Sequence, residues 1–322
     1  MDHLRRLGNS ISIPIPADEN AFTGREFPRP DCEGYFKIEL GTGLKGEGLP
    51  CHCPYCGHTA GHDHFWTTEQ IEYAKSVAMR KITDALHKDP KKLEFDHKPK
   101  GAFGVGISMK VKPGRPTPIH HYREKQLETE VVCVNCTLRY SVYGVFAFCP
   151  DCGEHNSLQI LDKNLEVVGR MLDLAAATEK ELAEKLVENA LEDCVSAFDG
   201  FGRELCRVHA NRARNPARVQ KLTFQNLEAS KTTFLELFEI DLSAEVAPEK
   251  WRVAAMGFQK RHLVTHKMGV VDHEYITKTG DTRAVVGRKI GIEADEVRQL
   301  ARIISKLALR LSDDLQGLGT SP

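Results

Sequence analysis

Three Cys-x-x-Cys pairs account for six of the ten cysteines in this chain of 322 residues. Each such turn presents two thiolates close enough to share one metal ion, and two turns complete a tetrahedral zinc site. Ten cysteines in a small secreted domain would predict disulfides, but paired cysteines in a longer chain without a secretory leader favour metal binding. The sequence therefore predicts that the N-terminal half is built around structural zinc.

Two of the pairs, Cys133 with Cys136 and Cys149 with Cys152, predict one four-cysteine site. The twelve residues between the pairs are rich in aromatic and β-branched side chains and are broken by Gly144. This composition predicts a hairpin that returns the second pair to the first. We therefore expect a zinc ribbon in which all four thiolates bind one structural zinc ion.

The third pair, Cys53 with Cys56, predicts a second metal-binding turn, but the sequence does not define its remaining ligands. The residues before and after this pair contain more cysteine and histidine side chains than one zinc ion can bind. A turn of this kind without metal is the alternative interpretation. The candidates for the two remaining ligands are Cys51, His58, His62 and His64.

A helix predicted over residues 248–268 carries an arginine and two histidines near its C-terminal end. Pro248 suits the first turn of this helix, and Gly269 suits a left-handed residue just after it. At about 100° per residue, His262 and His266 extend the apolar side of the helix, and Arg261 lies at the edge of the same side. Charged or titratable groups that are buried need partners or a chemical role, because burying them unsatisfied costs several kcal/mol.

Arg261, His262 and His266 resemble the signature of the HEPN family (higher eukaryote and prokaryote nucleotide-binding), in which Arg and an adjacent polar residue precede a His. His262 stands where the family more often has Asn. The resemblance covers about residues 178–316. Flanking residues are also similar to those of the family, namely Phe224, Gln225, Asn226, Leu227 and Glu228 upstream and Gly269, Val271, Asp272 and Tyr275 downstream.

This resemblance implies a dimeric, metal-independent endoribonuclease with a composite site between protomers, in which the 2'-hydroxyl of RNA attacks the adjacent phosphate. His266 would transfer the proton, Arg261 would stabilise charge on the phosphorane, and His262 would orient the reacting groups or share the proton transfer. The family resemblance also implies a toxin or anti-phage defence effector, which a regulatory or antitoxin partner could restrain.

Two alternatives to this function remain open from the sequence. His262 and His266 could be core histidines that hydrogen-bond to helix carbonyls. The whole protein could then be a non-catalytic zinc-ribbon adaptor that binds nucleic acid or protein and dimerises through its helices. Zinc as the catalytic centre is disfavoured, because a four-thiolate site has no open position for water.

The length and the local patterns predict an α+β protein of two domains, a zinc-ribbon-containing β/α domain over residues 1–160 and an all-α helical bundle over residues 161–322, which the resemblance implies to be HEPN-like. The net charge is -1, so attraction to RNA would depend on local basic regions such as residues 80–125. No apolar run is long enough to cross a membrane. We expect a cytoplasmic protein without a membrane partner.

Local patterns predict the main helices. Thr67 and Gln70 form a capping-box pattern before one helix, and Thr178 and Glu181 form another before a long helix that ends near residue 215. Further helices are expected over residues 217–238 and before Gly317, with a turn at residues 279–281. A half-buried strand is expected over residues 105–112.

Overall fold

The computed structural model describes residues 2–8, 10–27, 32, 34–46, 48–91, 95–97, 107–109, 116–244 and 246–317. The chain is of the α+β class and divides into two compact units, Met1–Glu154 and His155–Pro322. The sequence placed this boundary after residue 160, which lies inside the first helix of the second unit. No helix in these described ranges has the length and apolarity that a lipid bilayer requires.

The first unit combines a four-stranded antiparallel sheet with one long helix. Two hairpins, β1–β2 and β7–β8, form the sheet in the order β1-β2-β8-β7, and two further strand pairs, β3–β4 and β5–β6, stand apart from it. The elements in chain order are α1 (Asp2–Arg5), β1 (Phe22–Glu26), β2 (Tyr35–Glu39), β3 (Pro50–His52), β4 (Thr59–Gly61), α2 (Thr68–Lys91), β5 (Phe95–His97), β6 (Ile107–Met109), β7 (Thr129–Val132) and β8 (Arg139–Val142).

The hairpin predicted between the two cysteine pairs is wrong. Strand β8 does follow Cys136, but it pairs with β7, which precedes Cys133. On its other side β8 pairs with β2 of the first hairpin, where Ile38 lies opposite Tyr140. The cysteine turn is thus itself the turn of the β7–β8 hairpin. The pairing of β8 depends on β2, which is distant in sequence, and the local alternation of side chains does not indicate which strand will be the partner.

Two other expectations in the first unit can be compared with the structure. The capping box before α2 is confirmed, because the Gln70 amide donates to Thr67 Oγ1 and the Thr67 amide donates to Gln70 Oε1, at 3.1 and 3.3 Å. The predicted strand over residues 105–112 lies outside the described residues except for β6. Much of the basic region 80–125 also lies outside them.

The second unit is a helical bundle. Helix α7 lies against α4, α6, α8 and α9, and α3 packs along α4. Buried phenylalanine rings fill the centre, including Phe198, Phe224 and Phe258. The helices are α3 (Ser157–Ala176), α4 (Lys180–Val208), α5 (Pro216–Val219), α6 (Leu227–Phe238), α7 (Pro248–Lys267), α8 (His273–Thr279) and α9 (Ala294–Gly317).

The structure corrects the helix assignments in this unit. Helix α3 was not assigned from the sequence, and α4 begins with Glu179 at its N-cap without the side-chain bond expected from Thr178. The single helix predicted over residues 217–238 is instead a short helix, a loop and α6. Residues 220–226 form this loop, which we call the Asp199 loop because the carboxylate of Asp199 on α4 binds its backbone. The turn predicted at 279–281 is the end of helix α8, which stops at Gly280.

Two glycines of α4 test its close approach to the Asp199 loop, because Gly202 faces the loop and Gly200 does not. A Cβ at Gly202 would lie 2.5 Å from the Phe224 ring, whereas a Cβ at Gly200 meets nothing within 4 Å. We expect Gly202→Ala to destabilise the bundle by about 1–3 kcal/mol through overpacking. Gly200→Ala should stabilise it by up to about 1 kcal/mol through helix propensity. Urea unfolding measures both, and equal effects would contradict this packing.

Candidate functional site

The three Cys-x-x-Cys turns share one backbone geometry. In each turn, the amide of the first cysteine donates to the carbonyl five residues later, and the amide four residues later donates back to the carbonyl of that cysteine, at 2.8 to 2.9 Å. The fourth residue after the first cysteine has a positive φ in every case. The residues involved are Cys53, Gly57 and His58; Cys133, Thr137 and Leu138; and Cys149, Gly153 and Glu154.

Two of these turns bring four sulfurs together. Cys133, Cys136, Cys149 and Cys152 lie with all their Sγ atoms within 4.8 Å of one another. The Sγ atoms of Cys133 and Cys152 are 3.6 Å apart, and those of Cys136 and Cys149 are 3.5 Å apart. A tetrahedron with zinc–sulfur bonds of about 2.3 Å separates its corners by about 3.8 Å, so these residues fit one tetrahedral metal ion.

The third turn has a partner that the sequence did not reveal. Cys32 joins Cys53 and Cys56 in a group that could hold a metal ion, and its Sγ atom lies 3.6 Å from that of Cys53. Within the described part of the chain this group has three members. Cys32 lies between β1 and β2, twenty-one residues before Cys53, and only the pairing of these strands indicates that it belongs to the site.

The ligand candidates proposed from the sequence for this third turn are therefore corrected. None of Cys51, His58, His62 and His64 belongs to the three-cysteine group. Cys51 is fully buried in the core of the first unit, where burial raises the pKa of its thiol to about 12. The ring of His58 lies 4.8 Å from the ring of Phe27.

The two cysteine groups are joined through the backbone. The amide of His52 donates to the carbonyl of Pro150 at 2.7 Å, and the amide of Phe148 donates to the carbonyl of Pro54 at 2.8 Å. Both groups contribute cysteines to the same buried cluster, which also contains Phe36, Leu138 and Tyr140. The cysteine turns are thus part of the core of the first unit, although Cys56 is exposed.

The cysteine environment determines how these groups behave without metal. Burial raises the pKa of Cys53 and of Cys136 to about 12, so the thiols stay protonated at neutral pH when no cation is present. Thiolates are the form that binds metal, so a metal ion bound at these groups would displace protons and contribute to the folding free energy of the unit.

We expect the purified protein to contain metal that depends on the cysteine groups. Cys136→Ser should remove about one metal equivalent per chain and destabilise the first unit, because it leaves three thiolates at a site built for four. Cys51→Ala is the matched control for metal content, since Cys51 lies outside both groups. Elemental analysis after gel filtration measures the metal, and Trp66 fluorescence in a Trp251→Phe background reports unfolding of this unit. Metal-free parent protein would contradict the assignment.

The two histidines of the predicted site on helix α7 are more exposed than expected. His262 and His266 are exposed and Arg261 is half-buried, whereas the helical wheel placed both histidines on the core side. The buried positions are Ala254, Phe258, Lys260 and Leu263. Because neighbouring helices pack on more than one side of α7, a wheel with a single apolar stripe misplaced the histidines. Their interpretation as core histidines is wrong.

The two histidines form a pair at the surface. Their ring centroids are 4.9 Å apart, with an interplanar angle of 51°. Partial burial lowers the pKa of His262 below its ordinary value, and the nearby charges of His266 and Lys267 lower it further. The neutral form of His262 is therefore favoured near pH 7, and this form can accept a proton.

Arg261 is positioned by a chain of polar contacts. Its Nη1 donates to Gln225 Oε1 at 3.4 Å, and Gln225 Nε2 donates to Asp199 Oδ2 at 3.3 Å. The other oxygen of Asp199 accepts from the Phe224 amide at 2.6 Å and from Thr223 Oγ1 at 2.9 Å. The buried Nε of Arg261 has no hydrogen-bond partner among the residues that the structure describes. This atom is a donor without an acceptor.

The end of α7 and the start of α8 are fixed beside the histidines. Met268 and Gly269 both have positive φ, at 53° and 75°, so the left-handed conformation expected for Gly269 is observed. Asp272 then caps α8 by accepting from the Tyr275 amide at 2.8 Å, and it also pairs with Lys267. The chain therefore turns sharply after His266 and leaves it exposed.

Together these residues place a pair of titratable rings on the same helix as an arginine with an unused donor. Such groups can transfer protons and stabilise anionic charge. Asp199 was missed by the sequence analysis, since a single Asp within a helix gives no local signal of its role. Comparisons with protein-family models, with curated proteins and with solved structures found no significant match.

Proposed function

We propose that this protein is a metal-independent endoribonuclease whose second unit is a HEPN-like bundle and whose catalytic residues are Arg261, His262 and His266. The observation that carries the proposal is the exposed histidine pair, with ring centroids 4.9 Å apart, next in sequence to a positioned arginine. A histidine pair can supply both a general base and a general acid. The guanidinium can stabilise charge on phosphate oxygens through its forked donors.

The chemistry needs only the RNA and these side chains. A neutral imidazole takes the proton from the 2'-oxygen, which attacks the adjacent phosphorus atom. The bond from phosphorus to the 5'-oxygen then breaks, and the leaving oxygen takes a proton from an imidazolium. The lowered pKa of His262 suits the base, and His266 then serves as the acid. The products are a 2',3'-cyclic phosphate and a 5'-hydroxyl end.

A second copy of the chain completes the proposed site. Arg261 and His266 are five residues apart, so their side chains diverge by about 140° around α7. Arg261 is also directed towards Gln225, whereas His266 is exposed. Two copies related by a twofold axis could direct Arg261 of one protomer and His266 of its partner at the same phosphate. We therefore infer a homodimer with a composite site.

The metal in the first unit is proposed to be zinc in a structural role. Four thiolates at tetrahedral spacing are the donor set that zinc prefers, and they leave no position for a catalytic water. The first unit is accordingly proposed to be a zinc ribbon. We further propose that the protein acts as a toxin or anti-phage effector restrained by a regulatory partner, which the HEPN resemblance supports.

Substitution of the proposed catalytic residues tests the function. We expect His266→Ala to lower RNA cleavage by roughly 10²- to 10⁴-fold, because it removes a proton-transfer group. Arg261→Ala should cause a loss of about 10²- to 10³-fold by removing charge stabilisation. Cleavage is measured with excess chelator on a labelled RNA, and the ends of the products are identified as cyclic phosphate and 5'-hydroxyl.

Matched controls separate catalysis from folding. His209→Gln changes a histidine at the C-terminal end of α4, and Arg302→Ala removes an exposed arginine of α9; both should cleave like the parent. Thermal melts must show that every variant is folded. Folded His266→Ala and Arg261→Ala proteins that cleave RNA like the parent would place the active site elsewhere. RNA binding without any cleavage by the parent would favour the adaptor.

A further inference from the structure

Helix α7 carries the histidine pair on a stripe that continues towards the N-terminus of the helix. Arg252, Ala255, Gln259, His262 and His266 follow one another at intervals of three or four residues, so they share one side of the helix. The positions next to the histidines on this side line a cavity of about 430 Å³. The cavity and the histidine pair thus lie on the same side of α7.

The cavity is formed by three elements of the second unit. The start of α6 provides Asn226 and Glu228, α7 provides most of one wall, and the end of α8 provides Lys278 and Thr279. Its volume is within the range of small-ligand sites, about 300–1,000 Å³. It is the size of site that can take one flat, partly apolar group.

Trp251 gives this cavity an aromatic wall with a fixed orientation. The indole Nε1 donates to Glu228 Oε1 at 2.6 Å, which anchors the ring to the first turn of α6. Ala255 and Met256 of the following turn continue the apolar surface. An indole that is held in place before binding loses little entropy when a planar group stacks on it.

Polar and cationic groups accompany the indole. Asn226 and Gln259 line the cavity together with Arg252 and Lys278. The Gln259 amide has no hydrogen-bond partner within the described part of the chain, and Asn226 uses only its Oδ1, which accepts from the Ala229 amide at 3.2 Å. Amides that can pair with base edges, cations that can contact phosphate, and one aromatic face are the features of single-strand nucleic-acid sites.

We propose that this cavity, the Trp251 cavity, binds one unstacked nucleobase of the RNA, a few nucleotides from the phosphate that is cleaved. The inference rests on the proposed ribonuclease function and assigns its substrate contact. Trp251 and His262 are eleven residues apart, a rise of about 16.5 Å along the helix. A single strand whose base stacks on Trp251 therefore brings a phosphate a few nucleotides away to the histidine pair. The enzyme would cut single-stranded RNA and not duplex, because a paired base cannot enter.

Binding is tested without cleavage by fluorescence. The chain has two tryptophans, so Trp66→Phe combined with His266→Ala leaves Trp251 as the only indole in a non-cleaving protein. We expect a single-stranded RNA of eight nucleotides to quench this fluorescence in a saturable way. The same sugar-phosphate chain without bases should not quench it, because stacking needs the base. Equal signals from both probes would overturn the proposal.

Substrate cleavage gives the second test. A single abasic nucleotide, moved along the strand, should slow cleavage by the parent roughly 5- to 100-fold at one position a few nucleotides from the cleaved phosphate, the range expected for one stacked base. Abasic nucleotides at the other positions should have little effect. Ala255→Leu fills the cavity without removing a core group, so this variant should cleave normal RNA slowly and respond little to the abasic position. Gln220→Ala, an exposed substitution outside the cavity, should behave like the parent.

The two tests separate failure of this inference from failure of the proposed function. A parent that cleaves RNA equally well wherever the abasic nucleotide stands refutes the Trp251 cavity as a base site and leaves the ribonuclease intact. A parent that never cleaves, but whose Trp251 fluorescence is quenched by RNA and not by the abasic chain, refutes the ribonuclease and retains the base site.

Discussion

The carboxylate of Asp199 holds together the part of the bundle on which the proposed site depends. It is buried and accepts three hydrogen bonds from residues 223–225, including the Phe224 amide at 2.6 Å. Burying a carboxylate costs free energy unless hydrogen bonds satisfy its oxygens. Residues 223–225 supply these bonds from a non-helical loop, which separates α5 from α6. The interruption places Gln225 against Arg261 and sets the start of α6, which forms one wall of the Trp251 cavity.

The first unit is built around a different feature, two groups of cysteines that could each hold a metal ion. Its sheet is small, and its core contains the sulfurs of Cys53, Cys133 and Cys149 alongside Phe36 and other side chains. Burial opposes ionisation of these thiols, as the raised pKa of Cys53 shows, and a bound cation would stabilise the thiolate form instead. Folding of this unit and metal binding are therefore expected to be one process.

The sequence predicts what is periodic or closely spaced and misses what depends on distant partners. The four cysteines 133, 136, 149 and 152 are close in sequence, and the structure brings them together as expected. Cys32 and Asp199 have no local signal, because strand pairing and helix packing bring them to their partners. The exposure of His262 and His266 was misjudged for the same reason, since the helices that surround α7 determine which of its sides are buried.

The central claim is that Arg261 and His266 act on one phosphate from different protomers, and mixing two inactive variants tests it directly. Arg261→Ala and His266→Ala proteins are combined and allowed to exchange subunits, and RNA cleavage is measured against each variant alone. Each mixed dimer keeps one complete site of two, and half of the dimers are mixed at equilibrium. A composite site therefore predicts recovery to about a quarter of the parent activity. No activity above the sum of the separate variants, despite verified exchange, would contradict it.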